Sequence, residues 1–286
     1  MFQLILSMLI FGTIGIFRRS IPLSSAMIAC VRGLIGAVFL YSLVKVKGGK
    51  PDANAIRKNI LLLVISGCFI GGNWMLLFEA YNYTSVAVAT LCYYMAPVIV
   101  ILLSPIILKE RLTKIKVLCI LTALIGMVFV SDVPANGLPH ASEAKGIICG
   151  LGAAVLYASV MMFNKKIKDI NAYDKTMVQL FCAGAILLPY LAYKHELMSV
   201  SLTTQSIILL GIVSIFHTGI TYALYFGSFD KLPAQTVALF SYIDPITAIL
   251  LSAVLLHEQM SFSVMIGTVL IIASTLASEL LPSRSS

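Results

Sequence analysis

Residues 73–110 read NWMLLFEAYNYTSVAVATLCYYMAPVIVILLSPIILKE, and residues 221–258 read TYALYFGSFDKLPAQTVALFSYIDPITAILLSAVLLHE. Laid over one another at an offset of 148 residues, the two stretches agree at eleven of 38 positions, Leu91 on Leu239 among them. Leu76 falls on Leu224, Phe78 on Phe226, Tyr94 on Tyr242, Pro97 on Pro245, 101–104 on 249–252, Leu108 on Leu256 and Glu110 on Glu258. A composition this apolar would give roughly three matches by chance. Apolar bias also does not supply a proline, a tyrosine and a helix-end glutamate. The chain therefore reads as a duplicated unit. The same offset carries Thr113 onto Ser261, each able to cap the apolar helix that follows, and Gly36-Ala37 onto Gly184-Ala185.

Only 11% of the 286 residues are charged and 59% are hydrophobic, whereas a soluble domain carries about a quarter charged. Water cannot solvate the outside of such a chain. Apolar runs of about twenty residues span a hydrocarbon core as helices, because a helix rises about 1.5 Å per residue. Ten runs meet that description, at about 2–17, 24–44, 59–80, 84–108, 114–132, 146–164, 174–193, 205–228, 233–256 and 262–281. The expected fold class is an all-α membrane protein of ten transmembrane helices. The first run has no basic segment before it and no A-x-A-like site after it, so it reads as a retained span and not a signal peptide.

The net charge of +8 does not point to nucleic acid, because the basic residues sit in short loops between apolar runs. Lys45, Lys47, Lys50, Arg57, Lys58, Lys109, Arg111, Lys114, Lys116, Lys165, Lys166, Lys168, Lys175, Lys231 and Arg284 fall on one side, and Arg18, Arg19, Lys145 and Lys194 on the other. The positive-inside rule then puts both termini in the cytoplasm of a multi-pass protein of the cell membrane, with the Arg18-Arg19 pair dissenting. Each unit has an odd number of spans, so the second enters the bilayer in the opposite sense to the first. The expected organisation is a first repeat at 1–132, an extracytoplasmic linker at 133–145 and a second repeat at 146–286. The six cysteines lie one per span with no C-x-x-C pair, which argues against a disulfide framework or a zinc site. No metal and no cofactor are expected.

Pro97 and Pro245 sit mid-span at equivalent positions, each removing a helix hydrogen bond and kinking its helix. Thr90, Tyr94, Pro97 and Ile101 share one face of their helix, as do Ala238, Tyr242, Pro245 and Ile249 of theirs. These faces are candidate walls of a cavity. Ionisable side chains inside spans are costly and default to function. They are Arg32, able to clamp a carboxylate or neutralise an acid, and Asp244, Glu79 and His217, candidates for proton coupling or gating. Asn73, Trp74, Tyr94, Tyr157, Tyr222 and Tyr242 offer polar tips at depths where only a cavity or a neighbouring helix can partner them. The stripe Tyr222, Tyr225 and Phe229 has the spacing of ordinary helix packing. Gly146 and Gly150 form a Gly-x-x-x-Gly that by itself fixes no oligomeric state. Glu110 and Glu258 read as local structure at a helix start.

The residues Tyr83-Thr84-Ser85-Val86-Ala87-Val88-Ala89, Pro97 and Leu108-Lys109-Glu110-Arg111-Leu112-Thr113, with Leu232-Pro233-Ala234, Pro245 and Leu255-Leu256-His257-Glu258 in the second half, carry a family resemblance. At these positions the chain resembles the EamA type of the drug/metabolite transporter superfamily, and it does so over nearly its whole length. Phe11-Gly12 stands where the family often has Trp-Gly. The resemblance implies two homologous five-helix repeats and a central cavity lined by helices 1, 3, 4, 6, 8 and 9, which would bring in Tyr157 and Met161. The expectation is a carrier that moves a small polar metabolite, an amino acid or related amphiphile, by alternating access. Export stands ahead of import, proton coupling is open, and the lipid bilayer and a small-molecule substrate are the partners. Import of an organic cation is the alternative. A membrane-embedded enzyme lacks support, with no His-Glu-x-x-His and no Gly-x-Ser-x-Gly. A channel accounts less well for a duplicated pair of kinked helices.

Overall fold

Transmembrane backbone has no water to bond, so its polar groups must be satisfied within helices, and the chain folds accordingly. The structure, a computed structural model, describes residues 1–19, 21–83, 92–130, 144–196, 203–229, 231–247, 251 and 262–280. The junction beyond Tyr83, Thr90, the linker residues 131–143, Ile249, residues 252–258, Ser261 and Arg284 lie outside the described residues, as do the side chains of Phe78, Tyr81, Arg18 and Arg19. The helices are α1 (Phe2–Arg19), α2 (Ser25–Val46), α3 (Ala53–Tyr83), α4 (Ala96–Ile107), α5 (Lys114–Val130), α6 (Ala144–Lys166), α7 (Ala172–Ala185), α8 (Leu188–Tyr193), α9 (Thr204–Ile212), α10 (Thr221–Ser228), α11 (Ala234–Phe240) and α12 (Phe262–Leu280). A π-helical segment, Val213–Ile220, joins α9 to α10. No strand occurs among the described residues.

Among the described residues, five stretches are long and apolar enough to cross a membrane: Ser25–Val46, Ala53–Leu77, Ala144–Lys166, Ala172–Tyr193 and Thr204–Ser228. Capping residues set where several helices begin. Ser24 accepts from the Met27 amide at 3.2 Å, Asn171 from Asp174 at 2.9 Å, Thr203 from Ser206 at 3.1 Å and Thr113 from Lys116 at 3.3 Å. The Asp52 carboxylate takes the Asn54 and Ala55 amides at 3.0 Å each, so α3 starts six residues before the apolar run that announces it.

Four of the predicted spans are bent or locally rewound. The helix at 92–93 gives way to a turn at Tyr94 and Met95 before α4 resumes with Pro97 in its first turn. One repeat offset later, α11 ends at Phe240, a turn occupies Ser241 and Tyr242, and helix resumes over 243–247, around Pro245. The seventh span breaks between α7 and α8, ahead of Pro189. In the eighth, the hydroxyls of Thr218 and Thr221 reach back five residues to the carbonyls of Val213 (2.9 Å) and Phe216 (2.7 Å). These bonds support the wider π turn.

Helix packing repeats under the 148-residue offset. α3 packs on α7, and the π segment, its counterpart, packs on α2. α5 packs on α12, which begins at the offset position. α2 and α7 cross where a Cβ on Gly33 would stand 2.9 Å from the Gly184 amide nitrogen, and one on Gly184 would stand 2.8 Å from the Cys30 carbonyl. Only glycine allows backbones this close. The outer surface is apolar, with Leu102, Ile106, Leu118, Ile125, Ile207, Ile208 and Phe216 all more than half exposed, as contact with lipid tails requires. Inside, the largest fully buried side chains include Tyr225, Tyr242, Phe226 and Phe229.

Two lysines assigned by sequence to a solvated loop are structural. Lys175 is fully buried and its ammonium donates to the Phe226 carbonyl at 3.0 Å. Lys165 donates to the carbonyls of Phe229 (2.9 Å) and Leu232 (2.6 Å). The end of α10 leaves carbonyls without intrahelical donors, and a cation there also meets the negative end of the helix dipole.

Candidate functional site

The two pairs of aromatic residues that the offset relates are in direct contact. The Trp74 indole N–H donates to the Tyr222 hydroxyl at 3.1 Å, and the Tyr242 hydroxyl donates to the Tyr94 carbonyl at 3.3 Å with ring centroids 6.1 Å apart. Positions exchanged by a two-fold rotation can touch only beside its axis. The second contact joins the two helix breaks themselves, since Tyr94 and Tyr242 stand in the turns ahead of Pro97 and Pro245.

An unbroken series of aromatic contacts radiates from these pairs. Tyr222 meets Phe11 of α1 edge-on at 4.9 Å, and Phe11 meets Tyr225 at 6.0 Å. The Tyr225 hydroxyl bonds that of Tyr157 at 2.7 Å and reaches Ser241 at 3.4 Å. Tyr157 stacks on Tyr93 at 5.4 Å, which meets Tyr94 at 5.5 Å. Offset-stacked and edge-on arrangements follow from the ring quadrupole, and chaining them ties together α1, α3, α6, α10 and the two breaks. Arg32 of α2 closes the group, its guanidinium carbon 4.1 Å above the Trp74 ring while only 6% of the residue is exposed. The Tyr222 hydroxyl and Tyr93 lie within its field.

The remaining candidates separate from this cluster. Asn73 is buried, and its amide nitrogen is committed to the Ala153 carbonyl at 2.7 Å, holding α3 to α6. His217, in the π segment, pairs through Nε2 with the Thr13 hydroxyl at 2.7 Å, and Phe17 presents its edge at 4.8 Å. The Thr13 hydroxyl already donates to the Ile10 carbonyl at 2.7 Å. A hydroxyl has one proton, so it accepts here and His217 Nε2 is the donor. Asp244 is half-buried, two residues past Tyr242, and among the described residues its carboxylate enters no hydrogen bond or ion pair. A Cβ on Gly12 would stand 2.7 Å from its carbonyl oxygen, so α1 runs against this bend. Glu79 is half-buried about 7 to 8 Å further along α3 than Trp74. It lies in the field of Lys145, whose ammonium donates to the Tyr83 hydroxyl at 2.7 Å.

Phe11 and Thr13 join the site's contacts, as do Tyr93 and Tyr225, polar-tipped aromatics of the same spans that stand outside the sequence candidates. The stripe holding Tyr225 was visible as a helix face, but nothing local distinguishes a tyrosine whose hydroxyl meets another tyrosine from one that merely packs. Glu110 acts across the molecule and not on its own helix: its two oxygens accept from the Ala234 and Gln235 amides at 2.8 and 3.3 Å. Beside it, at the lysine-bearing end, a cavity of about 980 Å³ is bounded by Ile107, Leu108, Glu110, Lys165, Lys166, Lys168, Asp169, Ile170 and Phe229. Phe229 is 5.3 Å from the Tyr225 ring. Among the described residues, no three His, Cys, Asp or Glu side chains come together as a metal site.

Comparison with known proteins supplies the family. The profile of the EamA-like transporter family matches residues 1–132 and 144–278. An uncharacterized transporter of Bacillus subtilis (strain 168), YxxF, is 29% identical over 95% of this chain and 86% of its own length. An uncharacterized transporter of Archaeoglobus fulgidus is 25% identical over 96% of this chain and 93% of its own. Protein RarD of Salmonella typhi is 30% identical over 70% of this chain and 66% of its own. A solved structure titled only as the crystal structure of a protein superposes with a TM-score of 0.84 at 19% identity, covering 97% of this chain and 95% of that one, which shows a shared fold. The chain is a multi-pass membrane protein and belongs to the EamA-like transporter family.

Proposed function

We propose that the protein is a carrier in the cytoplasmic membrane that exports a small polar metabolite, an amino acid or related amphiphile, by alternating access. The observation that carries this reading is the meeting of Trp74 with Tyr222 and of Tyr94 with Tyr242, each pair 148 residues apart and the second standing in the two helix breaks. Two inversely threaded repeats, 1–132 and 146–286, joined by the linker 133–145, would place those contacts on a pseudo-two-fold axis in the membrane plane. Rocking one repeat against the other about such an axis exposes a central site to each side in turn. Both termini and the lysine-bearing end then face the cytoplasm. The cavity beside Phe229 favours loading from that side, hence export.

In this reading Trp74, Tyr94, Tyr157, Tyr222, Tyr242 and Arg32 contact the substrate, and Asn73 holds α3 in place for them. Asp244, without a partner among the described residues, either receives a substrate ammonium or exchanges a proton, and His217 and Glu79 are further relay or gating positions. Pro97 and Pro245 supply the bends. No bond is made or broken, so no catalytic residue and no cofactor is assigned.

The test is counterflow. Purified protein in liposomes preloaded with one unlabelled amino acid at a time should concentrate a labelled trace of the matching compound transiently and saturably. Flux that rises linearly with concentration and shows no exchange would mark a channel, and no exchange with any of the twenty would remove the amino-acid assignment.

A further inference from the structure

We infer that Arg32, Trp74 and Tyr222 form a receptor for one carboxylate of the transported molecule, an inference that rests on the carrier reading and narrows it. Counting donors and acceptors leads there. Guanidinium offers five N–H donors and no acceptor, indole one donor and no acceptor, and phenol one of each kind. The Tyr222 oxygen already accepts from Trp74 at 3.1 Å and from the Arg32 guanidinium, which fills its lone pairs, and among the described residues its own proton meets no acceptor. Arg32 Nε is shut off from solvent with no hydrogen-bond partner. The three side chains therefore hold a surplus of donors and one full positive charge.

A buried guanidinium normally stands against an acid, because an unpaired charge in low dielectric is expensive. Among the described residues no carboxylate forms an ion pair with Arg32, and the ring beneath it supplies only a quadrupole. Asp244 belongs to the other half and makes no pair with it. An anion with two oxygens meets both deficits, accepting from the guanidinium and from the Tyr222 hydroxyl. A cation would deepen them. A single fixed positive charge suits a monoanion, so the geometry points to a carboxylate and not a phosphate dianion. The offset places Leu180 opposite Arg32, so the duplicated fold carries this receptor once and binds one such group per chain.

Trp74 is the only tryptophan, which makes its emission a reporter of this site independent of transport. The probe is iodide, a collisional quencher that is an anion, compared with neutral acrylamide at constant ionic strength on the purified protein. Arg32→Gln should lower iodide quenching at least about twofold, since a focused positive site concentrates anions tenfold or more, and leave acrylamide quenching unchanged. Butyrate should protect wild-type Trp74 from iodide, and butyramide, its neutral isostere, should not. Tyr222→Phe should weaken butyrate protection while keeping the ring. A structural arginine predicts instead that Arg32→Gln melts lower. The receptor predicts an equal or higher melting temperature, because an unpaired buried charge has been removed. Equal iodide quenching in wild type and Arg32→Gln, or equal protection by butyramide, overturns the receptor while leaving the carrier reading to counterflow. Failed counterflow with intact anion selectivity does the reverse.

Discussion

Glu110→Ala should destabilise the fold more than a half-buried surface glutamate has any local reason to. α11 begins after Pro233, which provides no side-chain cap, and the Glu110 carboxylate takes its first two amides at 2.8 and 3.3 Å. Ala234 and Gln235 are fully buried, so truncation leaves two N–H groups without water to replace the lost acceptor. Losing a helix cap costs about 0.5–2 kcal/mol and leaving a buried donor unpaired about 1–3 kcal/mol. Discounting for the partial exposure of the carboxylate, we expect about 1–2 kcal/mol. At about 2–4 °C per kcal/mol for a chain of this size, that is a fall of about 2–8 °C in melting temperature. Glu110→Gln keeps one acceptor and should lose about half as much. The neighbouring bond from the Gln235 side-chain Nε2 to the Ser104 hydroxyl at 2.6 Å should hold α11 in register in both variants, so the transition should stay cooperative. Thermal unfolding of detergent-purified protein followed by Trp74 emission measures it. A Glu110→Ala melting temperature within about 1 °C of wild type would refute the reasoning, because the amides would then be satisfied some other way.

Gly184→Ala should cost about 1–3 kcal/mol, read as lower melting temperature and yield, because its Cβ would enter the Cys30 carbonyl 2.8 Å away; an unchanged protein would show that α2 and α7 can separate freely. Tyr157→Phe and Tyr225→Phe should each cost about 1 kcal/mol and be non-additive together, since the second change removes nothing from a pair already broken at 2.7 Å; strict additivity in a double-mutant cycle would contradict the bond. The Lys58 ammonium, 2.8 Å from Asp169 outside the apolar spans, holds that carboxyl below its usual range. A lowered folded-state value means that its contribution is complete above the unfolded value near pH 4 and disappears as pH falls through the folded one. Both groups are largely exposed, so Lys58→Ala at neutral pH should shift melting by no more than about 1 °C, the usual fate of an exposed pair; a larger loss would mean the bridge anchors α3 to the loop before α7.

Much of the frame was legible in the chain because hydropathy and duplication are carried by residue type alone. The proline pair at 97 and 245 announced both helix breaks, and the offset itself named Tyr94 and Tyr242 as equivalents before they were seen in contact. What escaped is tertiary. Glu110 reads locally as a residue at a helix start, yet its partners are 124 and 125 positions away. Lys165 and Lys175 look like solvated loop charges, and only the position of the α10 carboxyl end shows why they turn inward. The π turn and the bond from His217 to Thr13 depend on how α1 meets the eighth span. Asn73 is buried, but whether an amide faces a ligand or a neighbouring backbone depends on the helix opposite, here α6.

The central claim is that the two halves cross the bilayer in opposite senses, and site-directed labelling in sealed vesicles tests it without knowing the substrate. Cysteines introduced at Thr113 and at Ser261, equivalent positions 148 residues apart, should react with a membrane-impermeant maleimide from opposite sides, Thr113 from the cytoplasmic face and Ser261 from the outer one. Labelling of both from the same side would contradict the inverted arrangement.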